Sequence, residues 1–249
     1  MSTMSDGRET GGPCAAGVIF ALPIEADAFE RLATDRIETL VGDLAFHEAT
    51  LAGRRVAWCV GGIGRARAER AARLLLDGHR PRALVSAGFA GGLDPRLTRG
   101  GLVRPAIVRG LDAATGGDLP LAGGEQEGLL LVTVDRIVRS VAEKQALAAA
   151  TGGVLVDMET FAVATVARDA GLPCYGVRVV SDGAGDDLPA EVGRLVKPQS
   201  RVRRLGVVLG ALGRRPRTAI DLWHLWERAV VDGRTLAAAL AELCRSLPA

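Results

Sequence analysis

The 249-residue chain predicts an α/β protein: three layers, with helices on both sides of a mixed or mainly parallel sheet. Short apolar runs alternate along the sequence with segments of helical periodicity. Thirty-two glycines stand against only 4% aromatic residues, which favours many tight strand-to-helix turns over a helical bundle. Two of those turns are glycine-rich loops that follow apolar runs directly, GGIG at 61–64 and GFAGG at 88–92. With 48% hydrophobic residues the chain can bury one sizeable core, with or without an appendage.

The first strand is expected at Gly17–Leu22 (GVIFAL), followed by the turn Pro23-Ile24 and a short helix, EADAFERL, with Ala28 and Leu32 on one side. Glu25 then sits at a strand-to-helix junction. Phe46–Leu51 and Arg55–Val60 form a hairpin pair around Ala52-Gly53-Arg54. Gly61, Gly62 and Gly64 open a helix that carries Ala68, Ala71, Ala72 and Leu75 on one face and closes at Gly78. A dinucleotide fingerprint would need a small residue at position 67, where Arg67 stands, and a P-loop would need a GK[ST] ending. Both readings fail, leaving a loop whose N–H groups, that of Gly64 among them, suit an anion or a hydroxyl.

Ala83–Ala87 is a buried strand and Leu102–Val108 a further one, with Leu111–Gly128 as a surface loop and Leu129–Val134 as a strand. Ser140 and Glu143 form a capping box at the head of the helix KQALAAAT. The stretch on which the rest turns is 154–182. Val154–Val156 is a short buried strand, and Asp157 sits at the boundary of a helix that ends at Gly171-Leu172-Pro173. Cys174–Ser181 is a second strand ending in Asp182. Asp157, Met158, Glu159 and Asp182 therefore lie at strand ends, where open α/β sheets hold ligands. On spacing alone, Asp157 and Glu159 equally suit the positive end of a helix.

From residue 194 the composition changes. Arg194, Lys197, Arg201, Arg203, Arg204, Arg214, Arg215 and Arg217 precede Trp223, Leu225, Trp226 and a final alanine- and leucine-rich helix. The expected organisation is a loose tail at 1–13, a main α/β domain at 14–193 and a basic helical extension at 194–249. That extension reads first as a helical cover on the sheet, and second as a surface for anionic lipid. A net charge of +2 and the lack of any recognition motif argue against nucleic acid. Cys14, Cys59, Cys174 and Cys244 are too scattered for a disulfide framework or a zinc site, and suit a reducing cytoplasm. His47, His79 and His224 are isolated along the chain.

Three segments together resemble one family. ALPIEADAF, GGIGRARAERAA with SAGFAGGL, and VDMET followed by VRVVSD are similar to motifs of 5′-methylthioadenosine/S-adenosylhomocysteine nucleosidases, in the nucleoside phosphorylase superfamily. The match covers about Gly17 to Asp187. Within that superfamily, the stretch VDRIVRSVAEKQALAAATGGVLVDMET and the basic tail most resemble hopanoid-associated phosphorylases. The resemblance implies the superfamily's α/β/α fold and release of adenine from a 5′-substituted adenosine, with a lipid-linked hopanoid as the first expectation. The alternatives are a methylthioadenosine/S-adenosylhomocysteine nucleosidase and a catalytically silent nucleoside-binding or membrane-associated protein. It implies Asp182 as the acid that protonates the purine, which has to keep its proton near neutral pH and calls for an apolar or otherwise pKa-raising pocket. Glu159 would hold the ribose hydroxyls, Met158 would pack beneath the sugar, and Glu25 would orient the attacking water. Phe89 replaces the serine that the superfamily keeps near the nucleophile, which favours water over phosphate as the nucleophile. Phosphate remains the one co-substrate the resemblance allows; no metal or other cofactor is implied. Homo-oligomers are common in the family, and the purine-stacking aromatic has no counterpart near Ile137.

Overall fold

A computed structural model describes residues 13–111, 116–124, 128–188 and 216–248, without the side chains of 216–226. The expected basic stretch from Arg194 to Arg215 lies outside the described residues, as do the side chains of Arg217, Trp223, Leu225 and Trp226.

The elements follow in the order β1 (Ala16–Phe20), α1 (Pro23–Glu30), β2 (Thr34–Val41), β3 (Leu44–Leu51), β4 (Arg54–Val60), α2 (Arg65–His79) and β5 (Leu84–Gly92). Then come β6 (Leu102–Val103), β7 (Ile107–Gly110), β8 (Gly117–Pro120), β9 (Leu130–Thr133), α3 (Val141–Thr151), β10 (Leu155–Asp157), α4 (Thr160–Asp169), β11 (Cys174–Asp182) and α5 (Pro216–Ser246). They build one mixed sheet in the order β2-β3-β4-β1-β5-β10-β9-β7-β8, with β11 beside β5 and β6 beside β11.

The alternation of buried residues along the central strands separates the two helical layers. Ile19, Ala57, Cys59 and Leu84 face α2 and α4, joining Ala68, Ala71, Ala72 and Leu75 and the residues Phe161 to Ala167. Val18, Phe20, Val56, Trp58, Val85 and Val177 point the other way, toward Phe29 of α1 and Leu236, Leu240 and Leu243 of α5. The last half of α5 thus completes the core on that face. No helix among the described residues is long and apolar enough to cross a membrane.

Strand β5 organises the sheet. Its Leu84–Ser86 half pairs in parallel with β1, and its Gly91-Gly92 end pairs antiparallel with β10. Its full length from Leu84 to Gly91 pairs in parallel with β11. Two edges therefore serve three strands, and the ends of β1, β10 and β11 gather around Gly88–Gly92. A side chain at Gly91 would meet Val156 and Asp182, which explains glycine where these strands converge.

Four local expectations are corrected. Helix α1 starts at Pro23, whose ring suits the first helical position, and it buries Glu25, Ala26 and Phe29; Leu32 lies beyond it and is half exposed. The expected strand 102–108 is split into β6 and β7 around Arg104-Pro105-Ala106, because proline has no N–H for a ladder. The expected surface loop 111–128 contains β8, which pairs with β7. Strand β2 escaped the sequence reading because it has no buried face: Ile37 is 61% and Leu40 71% exposed. His79 is not isolated in space either. Its Nδ1 lies 3.1 Å from Oε2 of Glu48, beside the buried thiol of Cys14.

Candidate active site

A cavity of about 170 Å³ opens where the ends of β1, β5, β10 and β11 meet. Its lining includes Glu25, Phe89, Met158, Glu159, Ser181 and Asp182, with an apolar wall of Val134, Ile137, Val138, Val156 and Leu188.

Glu25 reaches the site from the first turn of α1 and is buried. Its Oε2 accepts from the N–H groups of Ala21 (3.0 Å) and Leu22 (2.8 Å), and its Oε1 from that of Phe89 (2.8 Å). Burial pushes its carboxyl above the usual carboxylate range, although those three donors and Arg178 pull the other way. A Cβ at position 88 would stand 2.5 Å from Oε1, so glycine there is what admits the carboxylate. A raised carboxyl whose oxygens keep unused lone pairs is suited to accept a proton from a bound water.

Glu159 stands just before α4. Its Oε1 accepts from the Gly64 N–H at 2.7 Å and its Oε2 from the Met158 N–H at 3.3 Å. Gly64, at φ 97°, takes a left-handed conformation that glycine adopts without strain. The Gly64 N–H, expected to hold an anion or a hydroxyl, is thus committed to fixing Glu159. Burial, and next the charge of Asp157, push the Glu159 carboxyl up to about 8.

That displacement has a sign that can be checked. A carboxyl raised in the folded state gives stability that is complete below its unfolded value, ordinarily 4.5, and is lost as pH climbs to about 8. At about 1.4 kcal/mol per pH unit, the loss is about 5 kcal/mol. Glu159→Gln removes the titration, so its melting temperature relative to wild type should rise between pH 5 and pH 9. A constant difference across that range would show that Glu159 is not strained by ionisation.

Asp157 was expected to touch the substrate. It lines the cavity, but both its oxygens are taken. Oδ1 accepts from Thr133 Oγ1 at 2.6 Å, and Oδ2 from Thr160 N at 3.0 Å, from Thr160 Oγ1 and from Arg178 Nη2 at 2.8 Å. Asp157 therefore holds the start of α4, including Glu159, in place. Arg178 itself is only 2% exposed, and its Nη2 also donates to Ser86 Oγ at 2.7 Å. The sequence reading missed this cation, which sits inside the apolar run VRVVSD on the α4 side of β11. An arginine interrupting a buried strand was the available signal, since such a charge needs a buried partner.

Asp182 sits among polar groups. No purely apolar pocket encloses it: Lys144 Nζ donates to its Oδ2 at 2.5 Å and Ser181 Oγ to its Oδ1 at 2.5 Å. Lys144 read only as one residue of the helix KQALAAAT. Phe89 gives the cavity its aromatic ring, while position 137 supplies an aliphatic side chain.

Comparison with known proteins identifies the family. The family described as the Phosphorylase superfamily matches residues 15–127 and 126–204. A 5′-methylthioadenosine/S-adenosylhomocysteine nucleosidase of Mycobacterium bovis is 26% identical over 229 residues, covering 72% of this chain and 90% of that protein. That of Tolumonas auensis is 28% identical over 204 residues, covering 70% and 88%. Among solved structures, the nucleosidase from Neisseria meningitidis in complex with methylthio-immucillin-A aligns with a TM-score of 0.72 at 19% identity, covering 93% and 99%. The futalosine hydrolase of Helicobacter pylori aligns at 0.68 and 16% identity, covering 91% and 97%. The structural likenesses carry the fold, and the family match spans β1 to the end of β11 and beyond: the chain belongs to the phosphorylase superfamily.

Proposed function

We propose that the protein hydrolyses the N-glycosidic bond of a 5′-substituted adenosine and releases adenine, with methylthioadenosine and S-adenosylhomocysteine as its substrate type. The observation that carries this is the convergence of Glu25, Met158, Glu159 and Asp182, from three separate segments of the chain, on one cavity. Asp182 donates a proton to N7 of the purine as the C1′–N9 bond breaks and its electron pair moves to the base. Glu159 accepts from the ribose hydroxyls, and the Met158 thioether lies beneath the sugar as positive charge develops on it. Glu25 takes a proton from the water that attacks C1′.

Water is favoured over phosphate by the way the site spends its donors. The N–H groups of Ala21, Leu22 and Phe89 are bound to a carboxylate, and Arg178 and Lys144 are each paired with an aspartate. A phosphate dianion would meet Glu25 and Glu159 there, with the Phe89 ring in place of a hydroxyl.

The lipid-linked hopanoid substrate rested on the stretch from Val134 to Thr160 and on a tail whose basic part, Arg194 to Arg215, lies outside the described residues, while the matched relatives are named for methylthioadenosine and S-adenosylhomocysteine. The reading accordingly moves to those substrates. Adenine release from both nucleosides, followed by chromatography with and without phosphate, tests it. Equal rates in phosphate-free buffer and a free 5-substituted ribose are expected. A strict phosphate requirement with a sugar phosphate product would overturn hydrolysis, and tight binding without release would make the protein a silent nucleoside binder.

A further inference from the structure

Lys144 is fully buried, in the second turn of α3, and all three of its ammonium hydrogens have acceptors. Nζ donates to Asp182 Oδ2 at 2.5 Å, to the Gly183 carbonyl at 2.7 Å and to the Asp186 carbonyl at 2.8 Å. The last two lie in the segment that follows β11. That segment is bound to the head of α3 elsewhere too: Val141 N donates to Asp187 Oδ1 at 2.7 Å, and Leu188 N to the Arg139 carbonyl at 2.9 Å. Leu188 then joins Asp182 in lining the cavity. The capping box of Ser140 and Glu143 fixes where α3 begins, and so where Lys144 points.

A buried ammonium is retained at a cost unless its partners are in place, and each of these three acceptors belongs to the acid or to the strap beside it. The arrangement is asymmetric. One oxygen of Asp182 is locked to Lys144, while the other is bonded, among the described residues, only to a hydroxyl, that of Ser181, which also reaches the Ala90 carbonyl at 3.2 Å. A hydroxyl can turn to accept as well as donate, so Oδ1 is the oxygen able to carry a proton and give it up.

We propose that Lys144 is the positioning residue of the acid step: it turns Oδ2 of Asp182 away from the base, leaves Oδ1 facing the purine, and stabilises the carboxylate that remains once the proton has moved to N7. This rests on the nucleosidase reading above. The proton leaves Oδ1 for N7, the C1′–N9 pair goes to the base, and the new negative charge on Asp182 is met by an ammonium already 2.5 Å away. Such a preplaced charge acts where charge develops in the transition state, and so bears on kcat more than on KM.

A double-mutant cycle on adenine release tests this, with Lys144→Met, Asp182→Asn and the two combined. Lys144→Met should lower kcat about 100-fold, within the span that general acid catalysis contributes, and leave KM within about 3-fold. Adding it to Asp182→Asn should cost nothing further, because it acts only through that carboxylate. Lys144→Gln, one atom shorter but keeping a donor without the charge, should lie between Lys144→Met and wild type, and it carries the cycle if the methionine variant does not fold. Multiplying losses in the combined variant, or a Lys144→Met enzyme within 3-fold of wild type, would overturn the proposal and leave the nucleosidase reading standing. A wild-type enzyme that releases no base would overturn both.

Discussion

Asp182→Asn is expected to lower adenine release by about 1,000-fold while the protein keeps its fold. General acid catalysis contributes about 100- to 10,000-fold, and an amide has no comparably acidic proton to give. The substitution is nearly isosteric, and the amide oxygen can still accept from Lys144 while the amide nitrogen faces Ser181. The hydroxyl there has lone pairs to receive it, so the local hydrogen-bond count is preserved. Binding should therefore survive: a nonhydrolysable adenosine analogue should bind Asp182→Asn within about 10-fold of wild type. Turnover within a few-fold of wild type would remove Asp182 from the acid role, and loss of both binding and turnover would point to damage in the Gly183–Asp186 strap.

The layers of the fold could be read from the sequence because the elements that carry them have one buried side. The Ala68, Ala71, Ala72 and Leu75 stripe of α2 and the capping box of α3 appear in the structure as the spacing implies. Strand β2 could not be read, since an edge strand without a buried face has no hydrophobic period. Nor could β8, four residues whose partner strand is fixed by pairing with β7 and not by any pattern of its own.

The candidate site divides along similar lines. Glu25, Met158, Glu159 and Asp182 could be placed at strand ends, because the strand-to-helix turns there are short and carry charge. What holds them could not be placed. Asp157 looked like a ligand contact because it lies at a strand end, although its spacing equally suited a helix start, and only the fold brings Thr133 and Arg178 onto its oxygens. Gly64 and Glu159 are far apart in sequence, and their hydrogen bond exists because α2 and α4 share one face of the sheet. Lys144 was hidden by its neighbours, since a lysine in an alanine-rich helix has the same local pattern whether it faces water or a buried aspartate.

The second large effect should come from Glu25, and here the substitution has to be chosen with its donors in mind. In Glu25→Gln the amide oxygen can take the Oε2 place and keep the N–H groups of Ala21 and Leu22. Its NH₂ then confronts the Phe89 N–H, leaving one buried donor unsatisfied at a cost of about 1–3 kcal/mol. Glu25→Ala leaves three donors around a vacated carboxylate position, which is a ready anion site. Both variants lose the base that activates water, so hydrolysis should fall by about 1,000-fold in each, near the middle of the range for such groups. The alanine variant differs in being repairable. Formate in the 10–100 mM range, chosen as about the strength at which a small, weakly held anion fills such a site, should restore part of the rate to Glu25→Ala and none to Glu25→Gln, where the side chain still fills the place. Nitrate, a planar anion of similar size with no useful basicity, serves as the control for simple filling of the hole. If formate does nothing while the variant is folded and still binds the nonhydrolysable analogue, the carboxylate is structural support for the Ala21–Leu22 turn and the Phe89 loop. Water must then be activated elsewhere in the cavity.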